Sequence, residues 1–173
     1  MTTAIIYFSR ANENYINGKK QMLLIGNTAV LAQKLSERLK LSSYQIIPKV
    51  PYSIDYEETV QKANREKQNA SQVAYEAIEI DLKEVETVFL GFPNWWGTYP
   101  RVIATFLANQ DWENKKIYPF CTHEGSAFGS SIQDLTKACP GAEIKTGLAV
   151  RGSKANHSDT ALANWLLAYE EDQ

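Results

Sequence analysis

Residues that could do chemistry collect in two loops, each of which follows an apolar run typical of a buried strand. The loops are numbered along the chain: the second loop, Gly91-Phe-Pro-Asn-Trp-Trp-Gly-Thr-Tyr-Pro100, follows VETVFL (85–90), and the third loop, Cys121-Thr-His-Glu-Gly-Ser-Ala-Phe-Gly129, follows KKIYPF (115–120). Tryptophan can stack on a planar ring, and backbone groups beside it can bond to the polar edge of that ring. We expect one tryptophan to pack under its loop and the other to line a site for a flat aromatic ligand.

The first loop along the chain lies near the N-terminus and could bind phosphate. The apolar run AIIYF (4–8) leads into Ser9 and Arg10, and Gly26-Asn27-Thr28 stands where a helix is expected to begin. Helix N-termini offer unpaired N–H donors and a positive dipole end, to which the hydroxyls of Ser9 and Thr28 would add. The alternative is that Asn27 or Thr28 only caps its helix.

Other chemistries find little support, and we assign no catalytic residue and no metal site. Two histidines without suitable cysteine or carboxylate spacing argue against a catalytic metal. The chain has no Gly-x-Ser-x-Gly elbow and no P-loop, and Cys121 lacks the Cys-x5-Arg phosphate cradle. His123 is either a proton donor or a hydrogen-bonding loop residue.

The elements that must position these loops alternate between strands and helices. Repeated β-α order predicts an α/β fold, in which a parallel sheet carries helices on both faces. Segments 10–26 and 70–84 are too long for ordinary connections. The predicted strands cover 4–8, 43–47, 85–91, 116–121 and 142–150, and the predicted helices begin near Thr28, cover 56–69 with Asp55 as N-cap, and include 102–107, 132–138 and 162–169.

Composition bounds the class of protein. A length of 173 residues predicts one domain, 1–173. Eighteen basic and twenty acidic residues leave a net charge of −2, which argues against nucleic-acid and anionic-membrane partners. No run approaches the roughly 18 apolar residues of a membrane span. With two cysteines and no visible signal peptide, we expect a cytoplasmic protein.

The motifs together resemble those of the bacterial flavodoxin family. The matching stretches cover nearly the whole chain in the expected order: YFSR (7–10), GNT (26–28), GFPNWWGTYP (91–100) and PFCTHEGSAFG (119–129). The segment PYSIDYEETV (51–60) also resembles this family, without a role that physics assigns. The resemblance implies a flavodoxin-like three-layer α/β/α sandwich with a five-stranded parallel sheet in order 2-1-3-4-5. It also implies non-covalent FMN at the switch between strands 1 and 3.

The resemblance further implies which residues bind the cofactor. Ser9, Asn27 and Thr28 would hold the phosphate, with Arg10 as a further candidate. Many relatives join the halves of this loop directly, whereas here 10–26 intervenes, which leaves 12–20 as a candidate lid. The isoalloxazine ring would lie between two walls, formed by Pro93, Asn94, Trp95, Trp96, Gly97 and Thr98 and by Thr122, His123, Glu124, Gly125, Phe128 and Gly129.

For a family that binds FMN, we expect a low-potential electron carrier that works with redox partner proteins as a monomer or weak homodimer. Short loops without an evident second-substrate pocket favour the carrier. The alternative is an NAD(P)H-dependent FMN oxidoreductase of the quinone reductase type, favoured by the 10–26 insertion, by His123 and by the mild net charge. A binding module without flavin is disfavoured by the intact GNT, WWG and THEGS segments.

Overall fold

A parallel sheet forms the centre of the computed structural model, which describes residues 2–171. Its order is β4-β1-β5-β6-β7, and β8 also pairs with β6. The strands in chain order are β1 (Thr3–Tyr7), β2 (Asn12–Ile16), β3 (Lys19–Leu23), β4 (Ser43–Gln45), β5 (Thr87–Pro93), β6 (Lys116–His123), β7 (Glu143–Ile144) and β8 (Leu148–Arg151). Strands β2 and β3 form a separate antiparallel pair.

Helices cover both faces of the sheet and give three layers. Helices α1 and α5 pack in the core on one face, while α3 and α4 pack in the core on the other. The carboxylate of Asp55 caps α2 by accepting a 2.8 Å hydrogen bond from the Glu58 N–H, as predicted. The helices are α1 (Asn27–Leu39), α2 (Tyr56–Gln68), α3 (Arg101–Ala108), α4 (Ser131–Ala138) and α5 (Asp159–Glu171), with 3-10 turns at Leu82–Glu84 and Gly152–His157.

The predicted three-layer sandwich and the relative order of its strands are confirmed, but the count of five strands is wrong. The predicted strand 142–150 is divided into β7 and β8. Between the two paired stretches, β6 contributes Tyr118 and Pro119, whereas the partner contributes the three residues 145–147. Since Pro119 has no N–H to donate and the partner has one extra residue, the ladder is interrupted by a bulge.

The hairpin β2–β3 within the 10–26 segment was not predicted. Its turn places Asn17 at φ 51° and Gly18 at φ 76°, the positive values of a type I′ turn. Asn-Gly between two runs of five residues is a strong hairpin signal, and it is present in the sequence. The segment KKQML does not have the alternating burial of a half-buried strand, because all of its residues except the last are exposed. Its polar sequence therefore did not indicate a strand.

Neither cysteine is available for chemistry in this fold. Cys121 and Cys139 are buried and unpaired, and burial raises the pKa of each thiol to about 12. No helix among residues 2–171 is both long and apolar enough to cross a bilayer.

A substitution at Gly91 would test how closely β5 and the Phe120 side chain pack at the centre of the sheet. A Cβ atom at this position would lie 2.2 Å from Cζ of the fully buried Phe120 ring. We therefore expect Gly91→Ala to lower the free energy of unfolding by about 1–3 kcal/mol in urea titrations. Gln45→Ala, at an exposed position of β4, is the control and should change it by less than about 0.5 kcal/mol. An unchanged midpoint for Gly91→Ala would contradict the close approach.

Candidate functional site

The carboxyl ends of β1, β5 and β6 meet the start of α1, and two hydroxyl bonds hold this junction together. The hydroxyls of Thr28 and Thr122 are 2.8 Å apart and both side chains are buried. Ser9 Oγ accepts a 3.0 Å hydrogen bond from the Ala29 N–H. These contacts hold the first loop against the third. In a parallel α/β sheet, such loops meet at the switch point, where ligands bind.

The N-terminus of α1 leaves backbone donors for a ligand. The first intrahelical bond runs from the Val30 N–H to the Gly26 carbonyl, and Ser9 takes the N–H of Ala29. Among residues 2–171 the N–H groups of Asn27 and Thr28 have no hydrogen-bond partner. Two free donors at the positive end of a helix dipole suit an anion.

The two tryptophans of the second loop have different surroundings. Trp95 packs edge-on against Phe8 and Tyr52, with ring centroids 5.3 and 5.0 Å apart. Trp96 is 47% exposed, and its indole N–H donates a 3.0 Å hydrogen bond to the Val60 carbonyl of α2. Trp95 is therefore held by the protein core, and Trp96 is held against α2.

His123 and Glu124 stand at the end of β6. The Gly125 N–H donates a 2.9 Å hydrogen bond to His123 Nδ1, so this nitrogen must be unprotonated. Partial burial, and then the positive charge of Arg151, lower the pKa of His123 below its usual value. A neutral imidazole is thus the form that this loop stabilises near neutral pH.

Two glycines permit close approach between the loops. A Cβ at Gly129, where φ is 53°, would lie 2.1 Å from the Gly97 carbonyl oxygen. A Cβ at Gly152 would lie 2.5 Å from Asn27 Nδ2 and 2.6 Å from Glu124 Oε1. Side chains at these positions would push the loops apart.

The loops line an open cavity of about 380 Å³, which we call the loop cleft. Its volume lies within the range of small-molecule sites. Its lining comes from the start of α1, the ends of β5 and β6, the hairpin and the start of α2. The residues are Asn14, Tyr15, Asn27, Tyr56, Pro93, Asn94, Trp95, Thr122, His123, Glu124, Gly125, Ser126 and Gly152.

A second cavity, of about 350 Å³, adjoins the loop cleft, and we call it the helix slot. It lies between one face of α2 and the Trp95–Trp96 loop. The two cavities share Asn14, Tyr56, Asn94, Trp95 and Ser126. The helix slot is lined by Arg10, Asn14, Tyr56, Thr59, Val60, Ala63, Asn94, Trp95, Trp96, Gly97 and Ser126.

The β2–β3 hairpin bridges the cavities. At its tip, the Asn17 N–H donates a 3.1 Å hydrogen bond to Glu124 Oε2 in the third loop. On its face, the ring of Tyr15 stacks on Tyr56 of α2, with centroids 5.7 Å apart and planes at 25°. The candidate lid is therefore an ordered hairpin that contacts both sides of the site.

The base of the hairpin is tied to the segment that precedes α2. Arg10 donates hydrogen bonds to the carbonyls of Glu13, Ser53, Ile54 and Asp55 at 2.5 to 3.2 Å. Its terminal nitrogens thus hold two backbone segments together. These bonds give Arg10 a positioning role, and its predicted contact with phosphate stays a prediction.

Other predicted residues support the site without lining either cavity. The hydroxyls of Ser9 and Thr28 are engaged within the protein, as described above, and Thr98 bonds to Asp134 at 2.6 Å. Phe128 is partly buried and packs against Phe92 of the core, and its predicted contact with a ligand stays a prediction. The predicted residues that do line a cavity are Arg10, Asn27, Pro93, Asn94, Trp95, Trp96, Gly97, Thr122, His123, Glu124 and Gly125.

Several lining residues were missed by sequence reasoning. Asn14 and Tyr15 belong to the hairpin, whose Asn-Gly turn was the available signal. Tyr56, Thr59 and Val60 belong to the segment 51–60, which resembles the family but to which sequence reasoning assigned no role. Which of these residues line a cavity depends on long-range packing, which the local pattern does not encode.

Comparison with known proteins agrees with this arrangement. A family model described as Flavodoxin matches residues 22–169. The chain belongs to the flavodoxin family. The match begins within β3, so β2 and the hairpin turn precede the part of the chain that this family model covers. No curated protein sequence matches this chain.

Solved structures share the fold over nearly the whole flavodoxin-family chain. A putative flavoprotein from Bacteroides eggerthii is 26% identical, with a TM-score of 0.76 and 96% of each chain covered. One from Bacteroides uniformis is 25% identical, with a TM-score of 0.74, and covers 95% of this chain and 97% of its own. A flavoprotein from Lactobacillus acidophilus, solved in complex with FMN, is 18% identical with a TM-score of 0.65 over 95% and 97%.

The lowered pKa of His123 predicts a pH-dependent contribution to stability. As the pH falls, His123 is protonated in the unfolded chain before it is protonated in the folded chain. Its contribution to the free energy of unfolding is therefore present above pH ~6.5 and is lost as the pH falls through the lower pKa of the folded state. Urea unfolding at several pH values between about 7.5 and 5 should show a smaller loss in His123→Asn, which keeps an acceptor but cannot titrate. Parallel pH profiles for the two proteins would contradict a lowered pKa for His123.

Proposed function

We propose that this chain binds FMN non-covalently in the loop cleft. The free N–H groups of Asn27 and Thr28 offer donors for the phosphate, and the cleft extends from Asn27 to the aromatic wall at Trp95. Gly152 leaves room where a side chain would obstruct the cleft floor. The FMN complex of the Lactobacillus acidophilus flavoprotein, which shares this fold, supports the choice of ligand.

The residues of the chain then have separate tasks. FMN, when bound, supplies one- and two-electron redox chemistry. The start of α1 would hold the phosphate, Trp95 and the 122–125 loop would face the ring, and the hairpin would exclude water. His123, neutral and fixed by Gly125, offers a hydrogen-bonding edge at the end of β6.

We further propose that the protein is an FMN-dependent oxidoreductase that delivers electrons from NAD(P)H to a small molecule. The observation that carries this choice is the hairpin, whose tip bonds to Glu124 across the loop cleft. A site bordered by a hairpin, with an adjoining cavity, suits a small substrate that enters and leaves. Pre-organised closure is less useful for a site that another protein must approach.

The electron carrier remains the second candidate. Trp96, which is 47% exposed at the rim, provides an aromatic edge that a redox partner protein could contact. Trp96 and Gly97 also have positive φ values of 55° and 82°, so their shared peptide is held in a turn beside the proposed ring site. The partner proteins, donor and acceptor alike, stay predictions.

The proposed phosphate site is tested by Asn27→Asp. A carboxylate at the first turn stabilises a helix but repels phosphate, so unfolding cannot explain a loss of binding. FMN affinity, from fluorescence titration, should fall by roughly tenfold or more. Riboflavin, which lacks the phosphate, should bind both proteins alike. Equal FMN affinities, or an equal loss for riboflavin, would place the phosphate elsewhere.

The choice between enzyme and carrier is tested by anaerobic mixing with NADPH. For the oxidoreductase, the visible flavin band of the loaded protein should bleach within minutes and return when an acceptor is added. A band that persists until a separate reductase is supplied would reject the oxidoreductase. A redox titration with two separate one-electron steps would then support the carrier.

A further inference from the structure

The helix slot has a wall built from one face of α2. Tyr56, Thr59, Val60 and Ala63 follow the i, i+3, i+4, i+7 spacing that places side chains in one row on a helix. Opposite this row stands the Trp95–Trp96 loop. The facing walls are aromatic and aliphatic, which is the geometry of a site for a flat molecule.

Most polar groups around the slot are already paired within the protein, and the buried Nε of Arg10 is an exception. The side-chain amides of Asn14 and Asn94 donate to backbone carbonyls, and so does the hydroxyl of Thr59. The indole N–H of Trp96 and the terminal nitrogens of Arg10 do the same. A ligand with many polar groups would lose hydrogen bonds to water and regain few here.

The slot is also a poor site for a phosphate-bearing ligand. Arg10 is the only charged residue in its lining within residues 2–171, and its two terminal nitrogens already donate to four backbone carbonyls. The helix N-terminus at Asn27 opens into the loop cleft and not into the slot. The charged phosphates of a nicotinamide dinucleotide would therefore find no partner in the slot.

We propose that the helix slot is the binding site for the second substrate, a small, uncharged, planar aromatic molecule. The proposal rests on the proposed FMN site in the loop cleft. Asn94 and Trp95 line both cavities, so a ligand in the slot lies beside the proposed cofactor site and shares a wall with it. Among electron acceptors, quinones have this shape and polarity, and we take them as the substrate class.

The experiment compares menadione binding by three FMN-loaded, oxidised proteins. Isothermal titration calorimetry gives the dissociation constant without turnover, since no reductant is present. Val60→Phe fills the slot from α2 at a half-buried position. Gln61→Phe adds the same side chain at the neighbouring exposed position of α2, outside the slot lining, and is the matched control.

The wild type and Gln61→Phe should bind menadione with similar affinity, and Val60→Phe should bind it roughly tenfold or more weakly. All three should keep similar FMN affinity. If Val60→Phe loses FMN while its circular dichroism is unchanged, the slot belongs to the flavin and the proposal fails. Menadione binding that Val60→Phe leaves unchanged, or that the FMN-loaded wild type lacks, also overturns it.

A second variant guards against misfolding of Val60→Phe. Ala63→Leu adds a smaller group to the same wall, one turn further along α2. It should weaken menadione binding in the same direction, and a folded Ala63→Leu protein with unchanged affinity overturns the proposal. Failure of the wild type to bind FMN at all would instead reject the proposed cofactor site, so the two failures are distinguishable.

Discussion

The buried bond between the hydroxyls of Thr28 and Thr122 is the constraint on which the site depends. It joins the start of α1 to the end of β6, two points separated by 94 positions in the sequence. Because both side chains are removed from water, breaking the pair would leave a buried polar group unsatisfied. With it in place, the free donors at the helix start and the third loop lie on the same side of the sheet.

The rest of the site is built outward from that junction. Close contact between Gly129 and Gly97 brings the second and third loops together, and the core holds Trp95 edge-on against Phe8 and Tyr52. The hairpin then adds a cover, tied at its base by Arg10 and at its tip by Glu124. The helix slot is thus lined by loop residues, by the hairpin and by α2.

Sequence reasoning recovered what local pattern encodes. Apolar runs located β1, β5 and β6, and Asp55 located the start of α2, because burial on both faces and capping leave signatures within a few residues. The division of 142–150 depends on how β6 pairs around Pro119, and the position of Phe128 depends on its contact with Phe92. Such facts arise between distant segments, so a single sequence carries little trace of them.

The central claim is that three loops and the hairpin form one flavin cleft. Amide hydrogen exchange with and without FMN tests it most directly, since it reports local opening in each segment. The account predicts slower exchange on FMN binding at the start of α1, in both loops after β5 and β6, and in β2–β3. Protection confined to one loop, or none in the hairpin, would contradict it.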